Sequence, residues 1–497
     1  MRNLTPMRTT MRIGLIAFMA FALSFAAEAQ TGYKLEFSVK GLKDTTVTLG
    51  YYIGESTYKR DTARSDKQGN FHFTGNEPLA EGAYFLAINK MKALEFLIGK
   101  DQHFRMETTT DDYILNMKVT GDEDNQLYFT NMQYLNEEHK IADPYLKILR
   151  DSTLTEDKKK EAREAFKVIN DRVMAHQDKL IADHPTTMFA RLMRVTKPID
   201  IPEAPKKPDG SIDSTFQIRY YRKHFFDNLN LADDAMTRLP RPYYTEKLNE
   251  YLDKLFVQTP DSLMPVIDEL IARVKVNKET YKYLVWNCVY KYSKPTIMGL
   301  DEIYVRLVDK YILSGEMDYW MDASLKKNVK EFAGKIRNSL IGKTGANLKM
   351  QDVNLQPRSM YDIKRKYTIL YIFDPDCGHC REETPKLVAL YNKSALKLNF
   401  EVFAVSADTS IQKLKDYIKE MKMPWITVNG PRSYVGMYTN FYYADQTPSL
   451  YILDAQHKII AKGIPADKLE EFFMNYERYL QRKAAQKPKP AGQPSPH

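Results

Sequence analysis

Residues 367–373 read YTILYIF, a run apolar but for Thr368 that passes directly into DPDCGHCREETP. A strand that is apolar on both faces must be covered on both, which places it inside a layered α/β domain. The segments around it supply the layers. A helix is expected after CGHC, a second apolar strand at LNFEVFAVSA, a helix at SIQKLKDYIKEM and a short strand at WITVN; PSLYILD and KIIAKG then form a hairpin, and ADKLEEFFMNYERYLQRK closes the domain as a helix. A βαβ unit followed by ββα predicts a mixed sheet with helices on both faces over residues 341–482. The remaining residues, 483–497, are proline-rich and polar, and are expected to be disordered.

Upstream the hydrophobic period changes twice. Residues 31–121 hold short alternating runs (YKLEFSV, TVTLGYY, FHFTG, AYFLAI, LEFLIG, HFRMETT) separated by turn sequences such as SDKQGN, which predicts a β-sandwich. From residue 122 the period becomes helical. Leu248, Tyr251, Leu252 and Leu255 fall on one stripe, as do Leu263, Ile267, Leu270 and Val274. Residues 122–338 are therefore expected to be mostly helical, interrupted by the connector KPIDIPEAPKKPDG, with no fixed repeat that would make a solenoid. The fold class is multidomain: an N-terminal β-sandwich, a central helical domain and a C-terminal α/β domain.

The N-terminus sets the compartment. Arg2, Arg8 and Arg12 precede an apolar run from Ile13 to Ala27, and Ala27-Glu28-Ala29 follows before Gln30, the plan of a cleavable export signal over residues 1–29. The run is shorter than the roughly 20 apolar residues of a spanning helix. No cysteine follows the cleavage site, so a lipid-modified N-terminus is not expected. The expected location is the periplasm or cell envelope. A net charge of +9 over 497 residues is mild, and its lysines and arginines are interleaved with acids, as in TEDKKKEAREAFK, so nucleic acid is not an expected partner.

Three cysteines are few for an exported chain that relies on disulfides for stability. Cys288, alone in YLVWNCVYKY, reads as a buried helix position. Cys377 and Cys380 are placed for chemistry. Cys377 lies where the buried strand ends and a helix begins, and free amide N–H groups and the positive end of a helix dipole stabilise thiolate there. Such sites bring a cysteine pKa from about 8.5 to somewhere between roughly 3.5 and 7.5. The two-residue spacer carries Cys380 onto the first helical turn, within bonding distance of Cys377. A thiolate attack by Cys377 on a substrate disulfide then gives a mixed disulfide that Cys380 resolves, and the reverse reaction donates the pair's own disulfide. The pair needs no cofactor beyond its redox-active disulfide, Cys377–Cys380.

With IGKTGANLKMQD, YTILYIF, CGHC, Pro385 and QTPSLYILD in this order, the last 140 or so residues resemble the thioredoxin superfamily, and within it the exported TlpA/ResA-type thiol-disulfide interchange proteins that carry the AhpC/TSA label. The resemblance implies that Thr447–Pro448 is a cis peptide facing the disulfide, with the Thr447 backbone presented as a strand edge to a substrate chain. It also implies substrate proteins with cysteines or disulfides, and a membrane electron donor that keeps the pair reduced. The N-terminal regions resemble the DUF4369-like β and DUF5106-like helical regions attached to such proteins in Bacteroidetes-type secreted oxidoreductases, with YYRKHFFDNLNLAD and YSKPTIMGLDEIYVRLVDKY as the matching stretches.

Three neighbours tune the pair. His379 can stabilise the Cys377 thiolate and make the disulfide more oxidising; the same CGHC occurs in protein disulfide isomerases. Glu383 resembles the acid that assists proton transfer in ResA-like proteins, against the plain reading of a helix-surface glutamate. Asp376 departs from the usual aromatic residue before the first cysteine, and a carboxylate there raises the thiol pKa and opposes His379. The buried acid of the family's preceding strand is replaced by Tyr371.

Rival chemistries fit less well. A structural zinc site needs four ligands, and no second Cys or His pair is spaced to supply them, so no metal is expected. Haem attachment requires histidine where Arg381 stands. Peroxiredoxins resemble this fold but carry threonine three positions before their cysteine, where this chain has Asp374. A reductase or isomerase of protein disulfides is the favoured reading, ahead of an oxidase, a thiol peroxidase, or an envelope binding protein with a tethered redox domain.

Overall fold

The computed structural model describes residues 32–485, so the expected export signal at 1–29 and most of the expected tail lie outside the described residues. The chain divides into two compact units, Met1–Leu255 with Arg273–Tyr281, and Phe256–Ala272 with Lys282–His497.

The first unit opens with eight strands: β1 (Tyr33–Lys40), β2 (Thr46–Ile53), β3 (Ser56–Arg64), β4 (Asn70–Gly75), β5 (Gly82–Ile88), β6 (Met91–Ile98), β7 (His103–Thr109) and β8 (Lys118–Thr120). They form two four-stranded sheets, ordered β4-β1-β7-β8 and β3-β2-β5-β6. Alternation along β1 turns Leu35 and Phe37 inward, and these share one core with Val47, Leu49, Leu86 and Phe96 of the other sheet, so the sheets close into a sandwich. Phe37 stacks on Phe71 at 5.1 Å and meets Phe96 edge-on at 5.5 Å. Strand β3 escapes sequence reading because STYKRDTAR has no inward apolar set: it is an edge strand paired only to β2.

The helices that follow are α1 (Glu123–Arg150), α2 (Glu156–Asp183), α3 (Met188–Val195), α4 (Phe216–His224), α5 (Tyr243–Lys254), α6 (Pro260–Val274), α7 (Lys278–Ser293), α8 (Asp301–Leu307) and α9 (Ala323–Arg337). Among the described residues no helix is long and apolar enough to cross a membrane.

In the second unit a small ladder, β9 (Lys349–Gln351) with β10 (Pro357–Ser359), precedes a five-stranded sheet built from β11 (Tyr367–Phe373), β12 (Phe400–Ser406), β13 (Ile426–Asn429), β16 (Ser449–Asp454) and β17 (Ile459–Lys462) in the order β13-β12-β11-β16-β17. A hairpin of β14 (Arg432–Ser433) and β15 (Gly436–Met437) is inserted after β13. Strands β11, β12 and β13 are parallel, whereas β16 and β17 run antiparallel to their neighbours. All seven residues of β11 are buried, as its apolar run requires.

The expectation of helices on both faces of this sheet is corrected. Helices α10 (Gly378–Leu398), α11 (Ile411–Met421) and α12 (Leu469–Ala485) all place their buried side chains (Leu387, Leu414, Tyr417, Leu469, Phe473) against the face that carries Ile369, Tyr371 and Phe373. The chain steps from β11 to β12 to β13 in one direction, and two right-handed crossovers stepping the same way put their helices on the same side. The opposite face, with Leu370, Ile372, Phe403 and Val405, is covered by Leu348, Met350 of β9, and Met360, Tyr438 and Tyr442 from short 3-10 turns and loops. Helix α12 runs to Ala485, two residues past the end of the expected helical segment at Lys483.

A pH dependence follows from the start of α1. The cap residue Asp122 is buried and accepts from the Asn125 N–H at 2.8 Å, while its other oxygen has no partner, and burial lifts its pKa to about 7. An acid whose folded pKa lies above its unfolded value of about 3.9 contributes stability below that value and loses it as pH rises through the folded one. The contribution of Asp122 is expected to be lost between about pH 4 and pH 7, read in denaturant titrations as a difference between the wild-type chain and Asp122→Asn that grows in favour of the variant across that window.

Candidate active site

The site is built where β11 stops. After Phe373 the turn Asp374–Pro375–Asp376 reverses the chain, with the Cys377 N–H donating to the Asp374 carbonyl at 3.1 Å. Cys377 is the cap residue of α10, with extended backbone (φ −80°, ψ 121°), and its carbonyl accepts the Arg381 N–H at 3.1 Å. Its sulfur is partly exposed at the end of the helix that offers free N–H groups. Cys380, on the first turn, points inward and is fully buried, with the Asp374 N–H directed at its Sγ at 3.5 Å. Both thiols are free, and they interact with each other.

Opposite Cys377 stands the Thr447–Pro448 peptide, which is cis, as is Gly430–Pro431. Cys377 Sγ lies 3.2 Å from the Thr447 carbonyl oxygen. The Thr447 side chain, more than any other group, holds the Cys377 thiol below its ordinary pKa; burial opposes it, and the N–H groups of Cys380 and His379 add to it. Burial pushes the Cys380 thiol the other way, to about 12. The two sulfurs are thus separated in acidity in the sense needed for one to attack and the other to wait.

His379 contributes through its backbone N–H, and among the described residues its imidazole makes no hydrogen bond or ion pair. Glu383 is not brought to the sulfurs. It pairs with Lys386 at 2.6 Å and accepts the Ala466 N–H at 2.9 Å; against burial, which raises it, these two contacts keep its carboxyl below the usual range. A carboxylate held in that form is a weak proton donor near neutral pH.

Asp376 is exposed, and the Lys413 ammonium stands 2.6 Å from its carboxylate and 3.1 Å from that of Asp408. These hydrogen bonds, that to Asp376 foremost, raise the Lys413 pKa. Asp374, Asp376 and Asp408 bring carboxylate oxygens within 4.8 Å of one another, and Lys413 meets their charge from α11. Sequence reading missed Lys413 because it lies 37 residues from Asp376 and reaches it only through the β12–α11 crossover.

Behind Cys380, the position left without the family's acid is occupied by a chain of neutral hydroxyls. Tyr371 and Thr384 share a hydrogen bond of 2.8 Å, Thr384 and Tyr417 another of 2.8 Å, and the Tyr417 hydroxyl donates to the Cys380 carbonyl at 3.0 Å. Phe373 stacks on both Tyr371 and Tyr417, with centroids at 5.5 and 5.0 Å. Burial raises both phenols, Tyr417 to about 12, so the wall against Cys380 carries no charge at neutral pH. The spacing of Thr384 four residues after Cys380 was the available signal, since it puts both on one helix face.

Three family models match the chain: the AhpC/TSA family over residues 341–462, and two domains of unknown function, DUF5106 over 155–333 and DUF4369 over 33–128. Probable nucleoredoxin 1 of Arabidopsis thaliana is 41% identical over 59 residues, 12% of this chain; the chain spans only 10% of that curated relative. Among solved structures, a domain of a possible thiol-disulfide isomerase from Cytophaga hutchinsonii is 35% identical, covering 29% of this chain and 97% of that one with a TM-score of 0.27. A thioredoxin-like protein from Bacteroides caccae is 17% identical, covering 56% of this chain and 100% of that one with a TM-score of 0.39.

Removing one hydroxyl from the buried chain leaves its partners unpaired. Tyr417→Phe is expected to destabilise the second unit by about 1–3 kcal/mol in denaturant titrations of the reduced protein, and Thr384→Val by a similar amount, with Thr384→Ser close to wild type.

Proposed function

We propose, for a chain that belongs to the thioredoxin superfamily through its oxidoreductase domain at residues 341–462, that Cys377 and Cys380 exchange disulfides with other proteins. The observation that carries this reading is the contrast between a partly exposed Cys377 whose pKa is lowered and a buried Cys380 whose pKa stands at about 12. The Cys377 thiolate attacks one sulfur of a substrate disulfide; that S–S bond breaks, a substrate thiolate leaves, and a mixed disulfide forms at Cys377. Cys380 then gives up its proton and attacks Cys377 Sγ. The Cys377–Cys380 disulfide closes, and the second substrate thiolate departs and takes up a proton. The substrate gains two electrons and the pair loses two. An external dithiol must return them, and a membrane-held electron donor outside the cytoplasm is the source proposed here.

Reduction or isomerisation is favoured over net oxidation, on the strength of the TlpA-like surroundings of the CGHC motif. The same setting, with the signal-like N-terminus, supports an exported protein of the periplasm or cell envelope. Thr447 is the substrate-positioning residue, since its carbonyl already faces the attacking sulfur. No resident metal or organic cofactor is part of the proposed cycle.

Two measurements follow. Cys377→Ser is expected to abolish exchange with a disulfide-bonded protein, and Cys380→Ser to accumulate mixed disulfides visible on non-reducing gels; equal trapping by both variants would contradict the assigned order. Equilibrated against glutathione, the pair is expected to have a potential closer to about −270 mV than to about −120 mV, the values typical of a reductant and an oxidant of this fold.

A further inference from the structure

The segment 438–446 carries the chain to Thr447 and Pro448, and it is gripped from two sides within the second unit. On its inner side Tyr438, Tyr442 and Ala444 are buried against the sheet face that lacks helices of its own, and the Tyr442 hydroxyl donates to the Ala346 carbonyl at 2.7 Å. On its outer side the contacts come from α9 and the residues just after it. The Asn338 side-chain amide donates to the Asn440 carbonyl at 2.9 Å, and the Tyr443 N–H donates to Ser339 Oγ at 3.3 Å. The Phe332 ring meets Tyr443 edge-on at 5.3 Å, and the Lys335 ammonium lies 3.2 Å from the Asp445 carboxylate.

The base of this contact is closed by Lys462 at the end of β17. Its ammonium pairs with Asp301 at the start of α8 and donates to the Ser339 carbonyl at 2.9 Å. The pair is shielded from water, with side chains 16% and 10% exposed, so the exit of α9 is held to the sheet by a desolvated charge as well as by packing. Lys335–Asp445 is an exposed pair of small weight alone; Phe332, Asn338 and Ser339 carry the contact.

Thr447 follows Asp445 by two residues, a reach of at most about 7 Å. Fixing Asn440, Tyr443 and Asp445 therefore fixes where the Thr447 carbonyl can stand relative to Cys377 Sγ, 3.2 Å away. We propose that residues 332–339, the end of α9 and the two residues after it, are a positioning element of the redox site. They hold segment 438–446 so that Thr447 faces the attacking sulfur and its backbone is presented in register to a polypeptide substrate. This gives a part in the exchange reaction to Phe332, at the edge of the match at 155–333 to a domain model without an assigned activity, and to the residues just after that match, and it rests on the reading of Cys377 and Cys380 as the exchanging pair.

The test uses the full chain, reduced by dithiothreitol, with insulin as the protein disulfide and dithiobis(nitrobenzoate) as a small one that needs no strand-like docking. For Asn338→Ala with Ser339→Ala, kcat/KM on insulin is expected to fall about tenfold while the rate on the small disulfide stays within about twofold. Amide hydrogen exchange over residues 443–449 should quicken by at least about tenfold. Lys335→Glu, a surface change that leaves folding unaffected, should lower insulin turnover by about twofold and spare the small disulfide. Unchanged insulin turnover and unchanged exchange in the double variant overturn the proposal, and so does a parallel loss on both substrates with a lowered melting temperature. A wild-type chain inert towards both disulfides removes the exchange reading itself, whereas an active wild type with an unaffected double variant removes the positioning role alone.

Discussion

Solvation separates two sulfurs that are one helical turn apart in the same short motif, and the rest of the site is arranged around that separation. Cys377 sits on the cap of α10, where unpaired N–H groups and the Thr447 side chain favour its anion. Cys380 faces a core in which the anion has no solvent, and its thiol is pushed up to about 12. Neither property belongs to the CGHC sequence by itself. Both come from β11 ending one turn before the helix and from the Thr447–Pro448 segment arriving across from it, which is a consequence of β11 being paired between β12 and β16.

Charge is kept off the inner sulfur and dealt with on the outer side. The wall behind Cys380 is a neutral relay of hydroxyls, Tyr371 to Thr384 to Tyr417, that ends on the Cys380 carbonyl and steadies the first turn without offering a carboxylate. The acids that do approach the motif, Asp374, Asp376 and Asp408, lie on the open side, where Lys413 pairs with two of them. A lysine held by two carboxylates offsets much of the repulsion that Asp376 would otherwise exert on a neighbouring thiolate. The sheet's own α-helices gather on the α10 side, so the other face is left to β9, short turns and loops, and the end of α9 with the residues after it closes over one of these at the point where it leads to the redox pair.

Much of this was legible in the sequence because it depends on local pattern. The run of β11, apolar but for Thr368, marked a central strand, the change of period at residue 122 marked the helical region, and the placement of Cys377 at a helix start followed from strand, turn and helix read in order. What was not legible depends on crossings of the sheet. Lys413 meets Asp376 only because β12 lies beside β11, and the side on which α11 packs depends on the direction of two successive crossovers. His379 was expected to act through its ring, whereas proximity along the helix start delivers its N–H. Glu383 was read from its distance in sequence to Cys380, but its rotation about α10 carries it to Lys386 and Ala466. Edge strand β3 lacked any alternation to read, since nothing packs against most of its side chains.

Alkylation of each cysteine in the reduced full chain, followed against pH with the two sites resolved by peptide mass, measures the separation of the two sulfurs most directly. Cys377 should be half-reactive below the ordinary thiol value of about 8.5, while Cys380 stays unmodified until the medium is strongly alkaline. Two similar midpoints near that ordinary value, or an earlier midpoint for Cys380, would contradict it.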